Sequence, residues 1–301
     1  MRKLVKWVGG ALGAVVLLVV LFAGFQIFSF NRKAAAVVDA PSVRVAVTSD
    51  SAVLARGRHV AEALGGCVGC HGENLEGRTV EDMGPIGVFR ASNLTRGSGG
   101  IGFDYTDDEM ARAVRYGVGR DGRSLMFMPS NEHNWWPDED LTAVISFVRS
   151  MPPVDNQVEA SRMGPLGKIL SNLGVFEMLS ARQIDPNAAP ETVPAPEPTA
   201  RYGAYIARGC TGCHGDNYSG GPIPGAPADF AVPRNITPHA EELAGWTEAT
   251  FNQVIDTGLR PDGTPLDVFM PVASLQAMNP TERTALWAFL QSLEPFPTGA
   301  R

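Results

Sequence analysis

The sequence predicts a mainly α-helical chain in which two tandem domains of similar build follow a single N-terminal membrane-spanning helix. Three observations predict it. The first is an uncharged, strongly apolar run from Trp7 to Asn31. The second is a pentapeptide, Cys67-Val68-Gly69-Cys70-His71, that returns as Cys210-Thr211-Gly212-Cys213-His214. The third is the order of helix caps, turns and apolar faces around each copy, which recurs at an offset of about 142 residues, the mark of an internal repeat.

The N-terminal element, residues 1–30, is long enough to cross a bilayer, and Arg2, Lys3 and Lys6 precede it. By the positive-inside rule these cations hold the N-terminus in the cytoplasm and send the rest of the chain across the cytoplasmic membrane, to its periplasmic side. A cleaved signal peptide is the competing reading, with Ala34-Ala35-Ala36 as a small-residue site. A signal core is only about 7–15 residues long, so a retained single-pass anchor is favoured.

The first repeat is expected over residues 45–154. Ser51 to Leu64 reads as a helix with Ser49, Asp50 or Ser51 as its cap, delivering the chain to Cys67. A glycine-rich, irregular stretch follows through Asn93-Leu94-Thr95 and Gly100-Ile101-Gly102. Thr106-Asp107-Asp108-Glu109 opens a helix as a capping box, and Gly117 closes it. Asp121-Gly122 marks a turn before Met128-Pro129. Leu141, Val144, Ile145 and Val148 then lie on one helical face, and Pro152-Pro153 ends that helix.

The second repeat, residues 201–297, follows the same order. Gly203 precedes Cys210, Asn235-Ile236-Thr237 answers the first Asn-x-Thr, and Thr247 to Gly258 answers the capped helix. Asp262-Gly263 leads to Met270-Pro271, and Asn279-Pro280 opens a last helix with Leu286, Trp287, Leu290 and Leu293 on its apolar face. The register slips once: Gly57 stands three residues further from Cys67 than Gly203 does from Cys210. Residues 155–200 read as a proline-rich linker, with a short helix expected between Gly164 and Met178.

The chemistry lies in the pentapeptide. Two thiols three positions apart with a histidine directly after them are spaced to attach one haem c through both vinyl groups and to bring the histidine under the iron. A zinc ribbon would set its cysteine pairs about 15–20 residues apart, far closer than these two stand. A thioredoxin-like dithiol needs a βαβ setting that neither pair has in the sequence. All four cysteines fall in the motifs, which excludes a structural disulfide and a separate catalytic thiol. The net charge of −7 argues against nucleic acid as a partner.

In Cys67 to Gly72, Asn93-Leu94-Thr95, Gly100-Ile101-Gly102, Asp121-Gly122-Arg123 and Met128-Pro129, and in their counterparts in the second half, the chain resembles the diheme and multiheme c-type cytochrome subunits that accompany membrane-bound bacterial alcohol and gluconate dehydrogenases. The resemblance implies a class I-like cytochrome c domain in each half, mostly helical, with histidine and methionine on opposite faces of the iron. Unlike the three-haem members, this chain has two motifs and its own N-terminal span.

The sixth ligand can also be sought by recurrence. Met128 and Met270 occupy matching places, each before a proline and after an Asp-Gly turn, and a thioether there raises the potential of a histidine-ligated haem. Met126 faces Val268 in the repeat alignment, and Met110 and Met278 face Phe251 and Trp136, so these read as packing residues. His59, His133 and His239 have no histidine opposite them and read as surface or structural. Pro85 and Pro227 are candidates to offer backbone carbonyls to His71 and His214. Trp135, Trp136, Arg90 and Arg234 are candidates to meet propionates.

Together these residues predict a membrane-tethered carrier of single electrons with two covalently attached haem c groups. It would stand between a donor, a membrane-bound dehydrogenase or quinol-oxidising protein, and an acceptor in the respiratory chain such as a terminal oxidase. It is expected to be no enzyme, since both irons would be six-coordinate. The alternatives are a diheme peroxidase or thiosulfate-oxidising enzyme with one open iron, and a haem-based sensor.

Overall fold

Helix α1 (Arg2–Ala35) continues past the apolar run that nucleates it. This computed structural model describes residues 2–223, 226, 230–240 and 242–300. Among the described residues, α1 is the one helix long and apolar enough to cross a membrane. Its leucines and valines are more than half exposed, as a lipid-facing surface requires, but Gln26 and Phe30 near its end are buried. They meet α6 (Pro165–Asn172), where Asn172 hydrogen-bonds the Gln26 side chain. The element expected as an anchor over residues 1–30 therefore also packs, by its last turns, on the body of the protein.

The first repeat begins with α2 (Ser51–His59), capped by Asp50, whose carboxylate accepts from the amides of Ala52 and Val53 at 2.9 and 3.1 Å. The helix expected as far as Leu64 widens at Val60–Leu64 into a π turn before reaching α3 (Cys67–His71). In the second repeat α7 (Ala200–Ala207) passes through a single tight turn, Arg208–Cys210, into α8 (Thr211–His214). The three extra residues of the first repeat fall in this π turn and the Gly65-Gly66 link that follows it.

Each repeat is held by one helix crossing. Helix α2 meets α5 (Asp138–Ser150) at Gly57, and α7 meets α11 (Pro280–Ser292) at Gly203. A methyl at Gly57 would overlap the carbonyl of Ala143, and one at Gly203 that of Ala285. Helices α4 (Asp107–Tyr116) and α9 (Glu248–Thr257) complete the bundles. Thr106 and Glu109 form the expected capping box, with Gly117 at φ 63° closing α4 and Gly258 at φ 67° closing α9. Asn279 and Glu282 form a second box at α11.

The stretch expected to be irregular contains a small sheet. Strand β1 (Arg78–Asp82) pairs antiparallel with β2 (Gly87–Ala91), which pairs with β3 (Arg162–Met163). Alternate residues of β2 are buried, Phe89 completely. The third strand comes from the segment expected to be linker. That segment is tied to the first repeat well beyond β3: Phe127 N donates to Met178 O at 2.9 Å, and Ser180 N to Leu125 O at 3.0 Å. Phe30, Phe89, Met163 and Leu179 form one apolar cluster that joins α1, the sheet and this segment, residues 155–200, which thus acts as a strap across the first repeat.

The repeats meet through an exchange of side chains at equivalent positions. His59 of α2 bonds Glu282 of α11 through Nε2 at 2.7 and 2.8 Å, while Tyr205 of α7 donates to Asp140 of α5 at 2.8 Å. Each carboxylate also keeps a donor from its own repeat: Arg56 grips Asp140 with two bonds of 2.7 Å, and Tyr202 donates to Glu282 at 3.1 Å. Asp140 is 2% exposed and Glu282 is fully buried. The π turn supplies the apolar part of this junction, with Ala63 and Leu64 packing into the core of the second repeat. Trp135 stacks edge-on against Tyr205 at 4.9 Å, and Arg208 lies over its ring.

Candidate functional site

In the first repeat both cysteines and the histidine fall within α3, and in the second Cys210 caps α8, which carries Cys213 and His214, so in each a single turn of chain presents both thiols and the imidazole together. Gly72 and Gly215, at φ 85° and 80°, end those helices where a side chain would be strained. No disulfide joins Cys67, Cys70, Cys210 or Cys213. Burial pushes the thiols of Cys67 and Cys210 up to about 12 and raises that of Cys70 as well. Neutral thiols of this kind are poor redox nucleophiles. Among the described residues no three His, Cys, Asp or Glu side chains gather into a metal-holding cluster.

His71 and His214 are 9% and 7% exposed. His71 Nδ1 lies 2.8 Å from Ser92 O, and His214 Nδ1 lies 2.7 Å from Arg234 O. A carbonyl only accepts, so each Nδ1 donates, and the lone pair of the neutral ring is on Nε2, the atom that would ligate iron. Burial also lowers the His71 pKa against the opposing pull of Ser92 O, which keeps the ring neutral. The same bond in both repeats is the orientation that an axial histidine needs.

These carbonyls are not the expected ones. Pro85 sits in the β1–β2 turn with its carbonyl against Gly164, and Pro227 lies outside the described residues. The carbonyl comes in both repeats from the residue before the Asn-x-Thr motif. Asn93, fully buried, donates from Nδ2 to Val154 O at 2.7 Å and Asn156 O at 3.2 Å, while its Oδ1 accepts from Thr95 N and Oγ1 at 2.9 and 2.8 Å. Asn235 repeats this with Phe296 O at 2.8 Å and Thr237 N and Oγ1 at 2.9 and 2.7 Å. The motif thus clamps the histidine-orienting backbone to the chain that leaves the last helix of its repeat. Two paired Asn-x-Thr motifs, read as backbone clamps, were the available signal.

Met128 and Met270 are both half-buried, each after a turn closed by a left-handed glycine, Gly122 at φ 77° or Gly263 at φ 82°. Met270 lies against the core of the second repeat. Their surroundings differ. Ser130 N and Val272 N donate alike to Met128 O and Met270 O at 2.8 Å, but Ser180, fully buried on the strap, adds a bond to Met128 O at 2.6 Å. The stacked pair Phe89–Phe127, centroids 4.7 Å apart, lies under the strap beside it. The equivalent pair Phe230–Phe269, at 4.6 Å, is uncovered, with Phe269 50% and Val268 91% exposed.

The remaining candidates are engaged elsewhere. His133 is 5% exposed, its Nε2 donates to Gly65 O at 3.1 Å, and burial brings its pKa down to about 4. His59 belongs to the junction between the repeats. Met110 and Met278 are core residues. Arg90 bonds Ala160 O and pairs with Glu159, and Trp136 is 1% exposed inside the first repeat. A residue that sequence reasoning passed over is Glu132. Its carboxyl abuts Gly212 in the second attachment turn and also raises the pKa of Cys70 in the first, so it stands between the two motifs. Burial pushes its own pKa up to about 7.

Comparison with known proteins agrees with this geometry. A family model described as cytochrome c matches residues 202–294, and one described as cytochrome c oxidase, cbb3-type, subunit III matches residues 52–148. The chain is 30% identical over 275 residues to a nicotinate dehydrogenase subunit of Pseudomonas putida, covering 82% of this chain and 22% of that protein. It is 29% identical over 279 residues to the cytochrome c subunit of the quinone alcohol dehydrogenase of Gluconacetobacter polyoxogenes, covering 83% and 58%. To the gluconate 2-dehydrogenase cytochrome c subunit of Pantoea cypripedii it is 26% identical over 277 residues, covering 81% and 60%. It therefore spans under two thirds of the length of these relatives. The chain is a c-type cytochrome of two cytochrome c domains behind an apolar N-terminal helix, homologous to the cytochrome c subunits of alcohol and gluconate dehydrogenases.

Proposed function

We propose that the chain holds two haem c groups, one attached through Cys67 and Cys70 and one through Cys210 and Cys213. His71 and His214 are the proximal ligands and Met128 and Met270 the distal ones. Haem c supplies a one-electron couple, and the residues around it hold, orient and shield that couple. The observation that carries the reading is the Nδ1–H to carbonyl bond made by both histidines, which aims each Nε2 and raises its basicity.

The protein then passes single electrons and makes or breaks no bonds. The haem domains lie on the periplasmic side, since Arg2, Lys3 and Lys6 favour a cytoplasmic N-terminus. The relatives named for quinone alcohol and gluconate dehydrogenases support a dehydrogenase as donor, with a respiratory acceptor downstream. The nearness of Glu132 to Gly212 in one attachment turn and its electrostatic effect on Cys70 in the other support a short path from one haem to the other. The cytochrome c domains correspond to residues 45–154 and 201–297, with the strap between them.

The test is the far-red sulfur-to-iron charge-transfer band of the oxidised protein, quantified per haem. Two equivalents are expected, one lost in Met128→Ala and the other in Met270→Ala. One equivalent or none in the unmodified protein overturns the ligand assignment and brings forward an enzyme or sensor with an open iron.

A further inference from the structure

A cleft of roughly 550 Å³ opens where α1 leaves its apolar stretch. Phe25, Phe28, Ser29, Arg32 and Lys33 of the helix form one wall, and Ser124 with Arg182 of the strap forms the other. Phe25 and Phe28 are 63% and 60% exposed. The Arg32 side chain makes no hydrogen bond or ion pair among the described residues, and neither does that of Lys33, although Lys33 is half-buried. Arg182 is balanced by Glu177 at 3.1 Å, so the cleft carries two uncompensated positive charges.

These cations stand at the end of the helix that the positive-inside rule disfavours, because Arg2, Lys3 and Lys6 occupy the other end. Their position relative to the apolar run is that of a phosphate layer, with Phe25 and Phe28 about one to two turns deeper, at acyl depth. We propose that this cleft binds the head group of an anionic glycerophospholipid, with its phosphate on Arg32 and Lys33, Ser29 within reach of its polar head, and its acyl chains along Phe25 and Phe28. An uncharged quinone would leave both cations unpaired, which is why a phosphate is the better fit. The site would seal the joint between the membrane helix and the strap that carries Ser180. The inference rests on α1 crossing the membrane.

Native mass spectrometry of the haem-loaded full chain in uncharged detergent, with phosphatidylglycerol, phosphatidylcholine or inorganic phosphate added, tests it. One phosphatidylglycerol is expected to be retained in preference to phosphatidylcholine, and Arg32→Gln/Lys33→Gln is expected to weaken that retention roughly tenfold or more. The pair Arg2→Gln/Lys3→Gln should leave it unchanged. Equal retention of the two lipids, equal loss in the two double variants, or retention of inorganic phosphate without lipid overturns the proposal. Alkaline extraction of membranes scores the anchor separately: a chain released into the soluble fraction refutes the membrane reading itself.

Discussion

Cutting both polar links between the repeats should make them unfold separately. His59→Ala removes the donor that Glu282 receives from the other repeat, and Tyr205→Phe removes the one that Asp140 receives. Neither touches the bonds within a repeat, Arg56 to Asp140 and Tyr202 to Glu282. A hydrogen bond to a buried charged group contributes about 1.5–3 kcal/mol, so the pair of changes removes about 4 kcal/mol, less any compensation within the network. For a cooperative unit of this size that is a fall in Tm of roughly 8–16 °C. The assay is calorimetry of the haem-loaded protein, checked against Soret absorbance and far-ultraviolet circular dichroism. The double variant is expected to show two transitions where the parent shows one. Tyr202→Phe, which cuts a bond to the same carboxylate from inside its own repeat, should lower Tm while leaving one transition. Acid should mimic the break. Burial alone would raise the pKa of Glu282, but the bonds from His59 and Asn279 hold it below its ordinary 4.5. Its contribution is therefore present above that value and lost as pH falls through the lower folded one. A single transition with unchanged Tm in the His59→Ala/Tyr205→Phe variant refutes the reasoning.

Three further outcomes follow from other contacts. Glu132, raised to about 7 by burial, binds its proton more tightly in the folded state, so stability falls as pH rises from 4.5 to about 7; Glu132→Gln should flatten that slope, worth about 2 kcal/mol, in denaturant titrations at pH 5 and 8. Gly203→Ala should cost about 1–3 kcal/mol by forcing α7 off the Ala285 carbonyl, and an unchanged Tm would remove the crossing from the account. Ser180→Ala should loosen the Met128 loop, so that imidazole binds the oxidised first haem more tightly while the second, which has no such latch, is unaffected.

The readable parts were those whose signals are local. Thr106 with Glu109, Asn279 with Glu282, and Gly117 and Gly258 are side chains and glycines acting within one turn of themselves, so helices α4, α9 and α11 could be bounded from spacing alone. The sheet could not. Strand β1 carries charges on a mostly exposed ribbon, and β3 comes from a segment some seventy residues away that proline content marks as linker. The histidine-orienting carbonyls escaped for another reason: a backbone acceptor has no residue preference, so Ser92 and Arg234 are unlike each other and only their shared neighbours, Asn93 and Asn235, reveal them. The exchange between repeats was hidden by its own asymmetry. Alignment sets His59 against Tyr205, which discourages a common role, yet both are donors to the carboxylate of the opposite repeat.

Helix α1 sets a constraint of a different kind. At 1.5 Å per residue its 34 residues run about 50 Å, and a bilayer core takes about 30 Å of that. The remainder is not a tether, because Gln26 and Phe30 are locked against the body of the first repeat. With the apolar part in a membrane, the protein rides on a stiff mast: it drifts laterally and spins about its axis, but does not rise, stoop or swing out into the aqueous phase. Encounters become a search in two dimensions, limited to partners whose own redox groups stand at the same height.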